Sequence, residues 1–171
     1  MSRVTLVLGG ARSGKSRLAE GLAEAAGPLR SYVATAEAFD EEMRRRIAAH
    51  RDRRGTGWET LEAPTDLAGA LSACRPVVLV DCLTLWLNNL LYRDMEIDAE
   101  LDRLCGVLGR TDREIFLVSN EIGLGIVPDN ALSRRFRDAQ GLANQKVAAV
   151  AQTVYFVAAG LPLTLKSPGP A

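Results

Sequence analysis

Short apolar runs alternate along the chain with stretches whose apolar residues are spaced as in helices. The first run, residues 4–8, is almost continuously apolar and ends at two glycines, which is typical of a strand buried on both faces of a parallel sheet. Similar runs predict four more strands, at residues 31–34, 77–80, 115–118 and 154–157. Apolar residues three or four positions apart predict helices around residues 18–25, 43–47, 67–71, 83–90, 101–108 and 143–150.

This alternation of strand and helix predicts an α/β protein. Consecutive βαβ units with right-handed crossovers build one mainly parallel sheet with helices on both faces, which gives three layers. Residues 163–165 follow Pro162 and predict an antiparallel strand at the edge of the sheet. No linker, repeat or change of composition interrupts the pattern, so we expect residues 1–171 to form a single domain with a loose tail at 167–171.

Residues 9–16 match the P-loop pattern G-x-x-x-x-G-K-[ST] at every fixed position. They are Gly9, Gly10, Ala11, Arg12, Ser13, Gly14, Lys15 and Ser16. The motif follows the first predicted strand and opens a predicted helix, so backbone N–H groups and the helix N-terminus can surround phosphate oxygens. In this pattern the lysine reaches the β- and γ-phosphates and the serine hydroxyl binds Mg²⁺. We therefore predict a P-loop NTPase fold of the RecA-like type that binds GTP or ATP; the alternative is a glycine-rich turn that only caps a helix.

Asp81 stands at the end of the predicted strand 77–80. A P-loop enzyme commonly has an acidic residue at the end of a neighbouring strand, where the carboxylate holds the metal ion and its waters. Asp81 can instead cap the next helix, expected to begin near Thr84, by accepting a backbone N–H. We predict that Asp81 contacts Mg²⁺ or the nucleotide.

Composition and charge exclude several classes of function. The chain is 47% hydrophobic and 25% charged, as in ordinary soluble globular proteins. Lys and Arg together equal Asp and Glu at 21 each, so no overall positive field attracts nucleic acid or an anionic membrane. The three cysteines lack C-x-x-C spacing, and no apolar stretch reaches the roughly 18 residues that span a bilayer. We expect a soluble cytoplasmic protein that binds no nucleic acid and does not span a membrane.

His50 is the only histidine of the chain. It lies on a predicted helix at residues 41–54 that Asp40 can cap. Met43, Ile47 and His50 are spaced so that they share one face of this helix. An isolated histidine on an apolar face is usually a packed core residue, and this interpretation stays open for His50.

Six arginines crowd the eleven residues around His50: Arg44, Arg45, Arg46, Arg51, Arg53 and Arg54. A solvated helix face explains such a run, and RNA contact is a second explanation. Neighbouring cations, however, lower the pKa of a histidine and keep its ring neutral and nucleophilic near pH 7. Arginines also bind phosphates bidentately. Beside a P-loop, this setting predicts that His50 attacks a phosphorus atom.

Further segments occur in a specific order along nearly the whole chain. Besides the P-loop they are residues 32–36, 40–51, 58–62, 120–128, 135–138 and 141–145. With these segments the sequence closely resembles the bifunctional adenosylcobinamide kinase / adenosylcobinamide-phosphate guanylyltransferase family of cobalamin biosynthesis.

The resemblance implies two consecutive reactions. GTP or ATP first phosphorylates the aminopropanol hydroxyl of adenosylcobinamide. GTP then transfers GMP to the family's histidine, which corresponds to His50, and releases pyrophosphate. The phosphorylated corrinoid finally takes the GMP to give adenosylcobinamide-GDP. His50 and Lys15 are the catalytic residues expected on this basis, with Mg²⁺ held by Ser16 and Asp81.

The resemblance also implies which other residues contact the substrates. Those expected at the nucleotide, in addition to the P-loop, are Ala34, Thr35, Ala36, Arg51, Asp52, Arg53, Arg54, Glu62 and Asp81. The carboxylate of Glu62 can accept guanine N–H groups. The loop 120–128 follows the C-terminal end of a strand, where open α/β sheets bind ligands. We expect it to approach the corrinoid through Asn120, Glu121, Gly123 and Gly125; the alternative is a tight connection to a helix that starts after Asp129.

Residues 83–91 are more apolar than one buried helix face needs, with Leu85 and Trp86 off the apolar stripe. We expect part of this helix in a subunit interface. The resemblance implies a homo-oligomer, with a trimer expected.

Two other functions stay open. One is a simple P-loop kinase of a small metabolite, in which His50 is only a core residue. The other is an NTP-dependent regulatory or RNA-binding module that uses the arginine-rich helix.

Overall fold

A computed structural model describes residues 3–37, 55 and 57–168. The predicted helix at 41–54, with Asp40, His50 and residues 51–54, lies outside the described residues, as do residues 169–171 of the predicted tail. The extent of the single predicted domain therefore stays a prediction for the chain as a whole.

The described strands form one seven-stranded sheet, ordered β3-β2-β4-β5-β1-β6-β7. Their bounds are β1 Arg3–Gly9, β2 Arg30–Ala34, β3 Trp58–Glu62, β4 Val77–Asp81, β5 Glu114–Asn120, β6 Thr153–Ala158 and β7 Leu161–Lys166. Every neighbouring pair is parallel except β6 and β7, which are antiparallel. This architecture confirms the predicted α/β class and the antiparallel edge strand.

Five helices connect these strands in the described part of the chain: α1 Lys15–Ala26, α2 Leu67–Leu71, α3 Leu83–Tyr92, α4 Ile97–Leu108 and α5 Ala131–Val150. Buried side chains of α2 to α5 form one hydrophobic cluster with the strand residues that face them, here called the four-helix cluster. Buried side chains of α1 form a second cluster on the other face, the α1 cluster. The sheet is thus covered on both faces, as predicted.

The apolar run of β1 is continuous because both of its faces are buried. Val4, Leu6 and Leu8 belong to the four-helix cluster. Val7, which points the opposite way, belongs to the α1 cluster. β1 also has strand neighbours on both sides, β5 and β6. The strand that leads into the P-loop is therefore fixed on all four sides.

β3 is a strand that the apolar pattern does not predict. Its five residues, Trp58–Glu62, include only two large apolar side chains. β3 is an edge strand, which pairs only with β2 and is less buried than the central strands. Trp58 packs edge-on against Tyr32, with 6.4 Å between ring centroids, and the Arg30 guanidinium carbon lies 5.0 Å from the Trp58 ring centroid. Ladder bonds and these ring contacts hold β3, so a search for apolar runs does not find it.

The surplus apolar residues of α3 are accommodated within one chain. Trp86 is fully buried in the four-helix cluster, and its indole Nε1–H donates to the carbonyl of Thr65 at 2.6 Å. Leu85 packs against the α1 cluster instead. The apolar excess on which we based a subunit interface is thus explained by α3 touching both clusters. The oligomeric state itself stays a prediction.

None of the described helices combines the length and the apolar character needed to cross a membrane.

Two leucines in helices provide a matched test of this core. Leu87 in α3 is fully buried, whereas Leu142 in α5 is 52% exposed. We expect Leu87→Ala to lower the free energy of unfolding by about 2–5 kcal/mol, because it leaves a cavity in the four-helix cluster. Leu142→Ala should cost less than about 1 kcal/mol. Urea unfolding of both variants measures the difference, and equal losses would contradict the described packing.

Candidate nucleotide-binding site

The P-loop connects the end of β1 to the start of α1 in a conformation that requires glycine at two positions. Gly14 has φ of 97°, which L-residues rarely adopt, and a Cβ there would lie 3.2 Å from the Gly160 Cα. A Cβ at Gly9 would lie 2.5 Å from the Ser13 Oγ and 2.6 Å from the Val157 carbonyl oxygen. The glycines thus permit close packing of the loop against itself and against the end of β6.

Hydrogen bonds within the P-loop, and from the turn between β6 and β7, hold this loop in its conformation. The Ser13 N–H and the Lys15 ammonium group both donate to the Gly10 carbonyl, at 3.3 and 3.0 Å. The Gly160 N–H, from the turn between β6 and β7, donates to the Ser13 carbonyl at 2.8 Å. The Ser13 hydroxyl is buried and has no hydrogen-bond partner within the described part of the chain. An unpartnered hydroxyl inside a loop of this shape fits a phosphate ligand.

Most of the predicted site residues that the structure describes lie at one edge of the sheet, where the parallel strands end. Gly9 of β1 is opposite Asn120 of β5, and Ala34 of β2 is opposite both Asp81 of β4 and Glu62 of β3. Ser16 lies in the first turn of α1, which begins at this edge. Four interstrand spacings of about 4.8 Å separate β1 from β3, so roughly 19 Å lies between Gly9 and Glu62. This separation suits phosphates at one end of a nucleotide and the base at the other.

Asp81 does not cap α3. The N-cap residue is Cys82, the helix begins at Leu83, and the Cys82 side chain makes no capping hydrogen bond. The Asp81 carboxylate accepts a hydrogen bond from the Tyr32 hydroxyl at 3.2 Å. Asp81 is therefore not the N-cap residue of α3, and it stays a candidate for contact with metal or nucleotide.

A magnesium ion at this edge would need oxygen ligands from both protein and substrate. Among the described residues, no group of three or more His, Cys, Asp or Glu side chains could hold a metal. Mg²⁺ is commonly bound by one or two protein oxygens together with phosphate oxygens and waters. The Ser16 hydroxyl and the Asp81 carboxylate have the chemistry for such a shared site.

Thr35 is fully buried and fastens β2 to the end of β4. Its hydroxyl donates to the Cys82 carbonyl at 2.7 Å and accepts from the Cys82 N–H at 2.8 Å. The Asn89 amide donates to the Thr35 carbonyl at 2.8 Å and to the Pro64 carbonyl at 3.0 Å. The Thr35 hydroxyl thus binds main-chain groups of Cys82, and the contact of Thr35 with the nucleotide stays a prediction.

Glu37 is the last described residue before the segment that carries His50. Its carboxylate receives two hydrogen bonds from the Arg93 guanidinium, at 2.8 and 2.7 Å, and this pairing lowers the pKa of Glu37. The pair ties the chain after β2 to the end of α3. Sequence reasoning did not identify it, since the two residues are 56 positions apart.

The loop after β5 starts beside the P-loop. The Glu121 N–H donates to the Gly9 carbonyl at 3.1 Å, and the Glu121 carboxylate accepts from the Gly123 N–H within the loop. Leu124, Ile126 and Val127 are 82%, 96% and 61% exposed. The loop, which starts beside the P-loop, therefore presents exposed apolar side chains that the sequence analysis did not single out. The following helix begins at Ala131, close to the predicted start, and the side chain of its N-cap residue Asn130 accepts a hydrogen bond from the Ser133 N–H.

Comparison with known proteins gives consistent matches over this chain. A family model described as cobinamide kinase / cobinamide phosphate guanyltransferase matches residues 5–165. The bifunctional adenosylcobalamin biosynthesis protein CobP of Pseudomonas aeruginosa is 52% identical over 166 residues, which cover 94% of this chain and 96% of the relative. The CobU proteins of Salmonella typhimurium and Escherichia coli are 40% and 39% identical over 179 residues, each covering 94% of this chain and 98% of the relative.

The hydroxyl of Thr35 can be tested with two substitutions. Thr35→Val keeps the shape but leaves the Cys82 N–H and carbonyl buried without this partner. We expect a loss of about 2 kcal/mol or more in the free energy of unfolding. Thr35→Ser keeps the hydroxyl and should lose less than about 1 kcal/mol. If urea unfolding finds the two variants equally stable, the hydroxyl does not fasten the strand ends.

The Cys82 thiol makes the free energy of unfolding depend on pH in the alkaline range. Burial and the nearby Asp81 charge raise the pKa of its thiol from an ordinary value of 9.0 to about 11. Because the unfolded thiol ionises first, stability is fully present below pH 9 and is lost as pH rises towards 11. Between pH 8 and pH 10 this single group should remove roughly 1 kcal/mol from the free energy of unfolding.

Unfolding measured over this pH range in the wild type and in Cys82→Ala tests this. The variant should show the smaller pH dependence. Cys105→Ala is the control, because the Cys105 thiol is less buried and should change the pH dependence less. Parallel pH profiles for the wild type and Cys82→Ala would refute the raised pKa.

Proposed function

Because the chain belongs to the cobinamide kinase / cobinamide phosphate guanyltransferase family, we propose that it catalyses both of the reactions in that description on the adenosylated substrate. GTP or ATP phosphorylates the aminopropanol hydroxyl of adenosylcobinamide, and GMP is then transferred from GTP to the product. The second transfer passes through a guanylyl group on His50. The observation that carries this proposal is the family match together with a P-loop that starts beside the loop after β5, where the Glu121 N–H donates to the Gly9 carbonyl.

In the kinase step the P-loop holds the triphosphate. The loop N–H groups and the N-terminus of α1 surround its β-phosphate, and Lys15 reaches the β- and γ-phosphates. The substrate hydroxyl oxygen forms a bond to the γ-phosphorus and loses its proton, while the bond from that phosphorus to the β–γ bridging oxygen breaks. Ser16 and Asp81 would hold Mg²⁺, which would supply positive charge to the phosphate oxygens.

In the guanylyl step a ring nitrogen of His50 attacks the α-phosphorus and pyrophosphate leaves. The arginines around His50 favour its neutral, nucleophilic form. The nucleotide is also contacted by residues 51–54, which are Arg51, Asp52, Arg53 and Arg54. Ala34, Ala36 and Glu62 lie along the nucleotide, with Glu62 at the guanine. A phosphate oxygen of the corrinoid substrate then attacks the same phosphorus, the P–N bond breaks, and His50 is regenerated.

The loop after β5 receives the corrinoid. The loop starts next to the P-loop. A corrinoid bound there would have its acceptor hydroxyl close to the γ-phosphate, which the kinase reaction requires. Leu124, Ile126 and Val127 offer apolar contacts suited to a large macrocycle, and Gly123 and Gly125 allow close approach. In this proposal Asn120 and Glu121, at the start of the loop, lie near the triphosphate.

We propose that the enzyme is cytoplasmic and binds no nucleic acid. By family resemblance, we also propose that it is a homo-oligomer, specifically a trimer. Three free cysteines among the described residues fit a reducing compartment.

Labelled GTP distinguishes this proposal from a simple kinase. Purified protein is incubated with Mg²⁺ and GTP labelled on the α-phosphate, and the peptide that carries label is identified after digestion. We expect label only on the peptide with His50, through an acid-labile and base-stable bond. His50→Asn should lose the label but keep transfer of γ-phosphate to adenosylcobinamide.

Two lysine variants complete the test. Lys15→Ala should slow both reactions at least a hundredfold, because it removes a charge that stabilises the leaving phosphate. Lys146→Ala is the matched control, since Lys146 pairs with Asp98 and Asp102 on the surface, and it should leave both rates unchanged. Kinase activity without any label on His50 would reduce the protein to a P-loop kinase.

A further inference from the structure

Asn120 lies between the P-loop and Asp81. In the sheet β5 separates β1 from β4, so the last residue of β5 stands between Gly9 and Asp81. Asn120 is directly opposite Gly9, and Asp81 is opposite Val118. Val118 belongs to the α1 cluster, and alternation puts Asn120 on the same face as Val118, the face over which α1 and its N-terminus lie.

The main chain of Asn120 is held by two buried side chains from different helices. Its N–H donates to the Thr84 hydroxyl of α3 at 2.9 Å. Its carbonyl accepts from the Asn144 amide of α5 at 3.2 Å. Thr84 and Asn144 are 7% and 6% exposed. Both backbone groups of a single residue are therefore fixed by the protein interior.

Asn144 is itself held by a buried polar network. Its amide oxygen accepts from the Ser119 hydroxyl at 2.7 Å and from the Gln140 amide at 3.0 Å. The Gln140 amide also donates to the Ser119 hydroxyl at 2.9 Å. Buried polar networks specify one arrangement, because breaking any bond leaves a polar group unpaired. The position of Asn120 is thus set before any ligand binds.

The carboxamide of Asn120, in contrast to its main chain, makes no hydrogen bond to any residue that the structure describes. It is only half-buried, so it can meet a ligand. Lys15 would reach the β- and γ-phosphates, and Asp81 would hold the metal ion that accompanies a nucleoside triphosphate, so the γ-phosphate would lie between these two residues. The end of β5 is the part of the sheet beneath that position.

We propose that the Asn120 carboxamide donates a hydrogen bond to the γ-phosphate of the bound nucleoside triphosphate, and that Thr84 and Asn144 are positioning residues that hold it there. The inference rests on the proposed function, since it requires a triphosphate on the P-loop. It gives Asn120 a phosphate partner rather than only a place in the corrinoid loop.

Comparison of triphosphate and diphosphate binding tests this directly. Calorimetry with Mg²⁺ measures the affinity for the β,γ-imido analogue of GTP, which cannot transfer its γ-phosphate, and for GDP. A hydrogen bond to a charged phosphate predicts that Asn120→Ala weakens binding of the analogue about tenfold or more and of GDP less than twofold. Asn120→Asp should weaken the analogue further, because it places a negative charge at the γ-phosphate.

Gln145→Ala is the control variant. It also removes an amide, but from an exposed side chain of α5. Both affinities should stay as in the wild type. Equal weakening of the analogue and GDP by Asn120→Ala, or no weakening of either, would overturn the inference.

The positioning role has its own readout. Thr84→Val removes the acceptor of the Asn120 N–H and should lower the preference for triphosphate over diphosphate, whereas Thr84→Ser should retain it. In the double variant Asn120→Ala/Thr84→Val, this preference should equal that of Asn120→Ala alone, because Thr84 acts through Asn120. Additive losses of the preference for triphosphate over diphosphate would refute that role.

A wild type that binds neither nucleotide would refute the proposed function itself. This outcome is distinguishable from failure of the present inference alone.

Discussion

Buried backbone groups at the ends of the parallel strands set the conditions for the whole candidate site. A ladder stops where its strands stop, and the next N–H and C=O groups then need partners that water cannot supply. Side chains supply them here: Thr35 for Cys82, Asn89 for Thr35 and Pro64, and Thr84 and Asn144 for Asn120. These polar residues are structural parts of the sheet edge. The side chains at this edge that we propose meet a ligand are those of the P-loop, Asp81 and Asn120.

The antiparallel hairpin of β6 and β7 supports the P-loop from the other side. Its turn residues, Ala159 and Gly160, both have positive φ, and this brings the Gly160 N–H to the Ser13 carbonyl. Gly14 and Gly160 pack so closely that a Cβ on Gly14 would lie 3.2 Å from Gly160. The β6–β7 pair, the one antiparallel pair among the described strands, therefore also helps to hold the phosphate-binding loop in place.

The fold was largely predictable because the strands of the sheet centre are buried on both faces. Such strands give continuous apolar runs, whereas the edge strand β3 gives none and was missed. The P-loop was also predictable from the sequence, because its residues are consecutive and match a known pattern. The contacts that hold Asn120 were not predictable, because Thr84 is 36 positions before it and Asn144 is 24 positions after it. Likewise, the family pattern assigns Thr35 to the nucleotide, but only the fold shows that its hydroxyl binds Cys82.

One phosphate site can serve both proposed reactions because the same phosphate receives the charge in each. When the corrinoid hydroxyl attacks the γ-phosphorus, negative charge develops on the leaving oxygen of the β-phosphate. When His50 attacks the α-phosphorus, the leaving group is pyrophosphate, and its new charge is again on an oxygen of the β-phosphate. In the proposed mechanism, Lys15, the loop N–H groups and the N-terminus of α1 would face that phosphate in both cases. The reactions then differ in the nucleophile and its direction of approach, so a rigid sheet edge needs no second phosphate-binding loop.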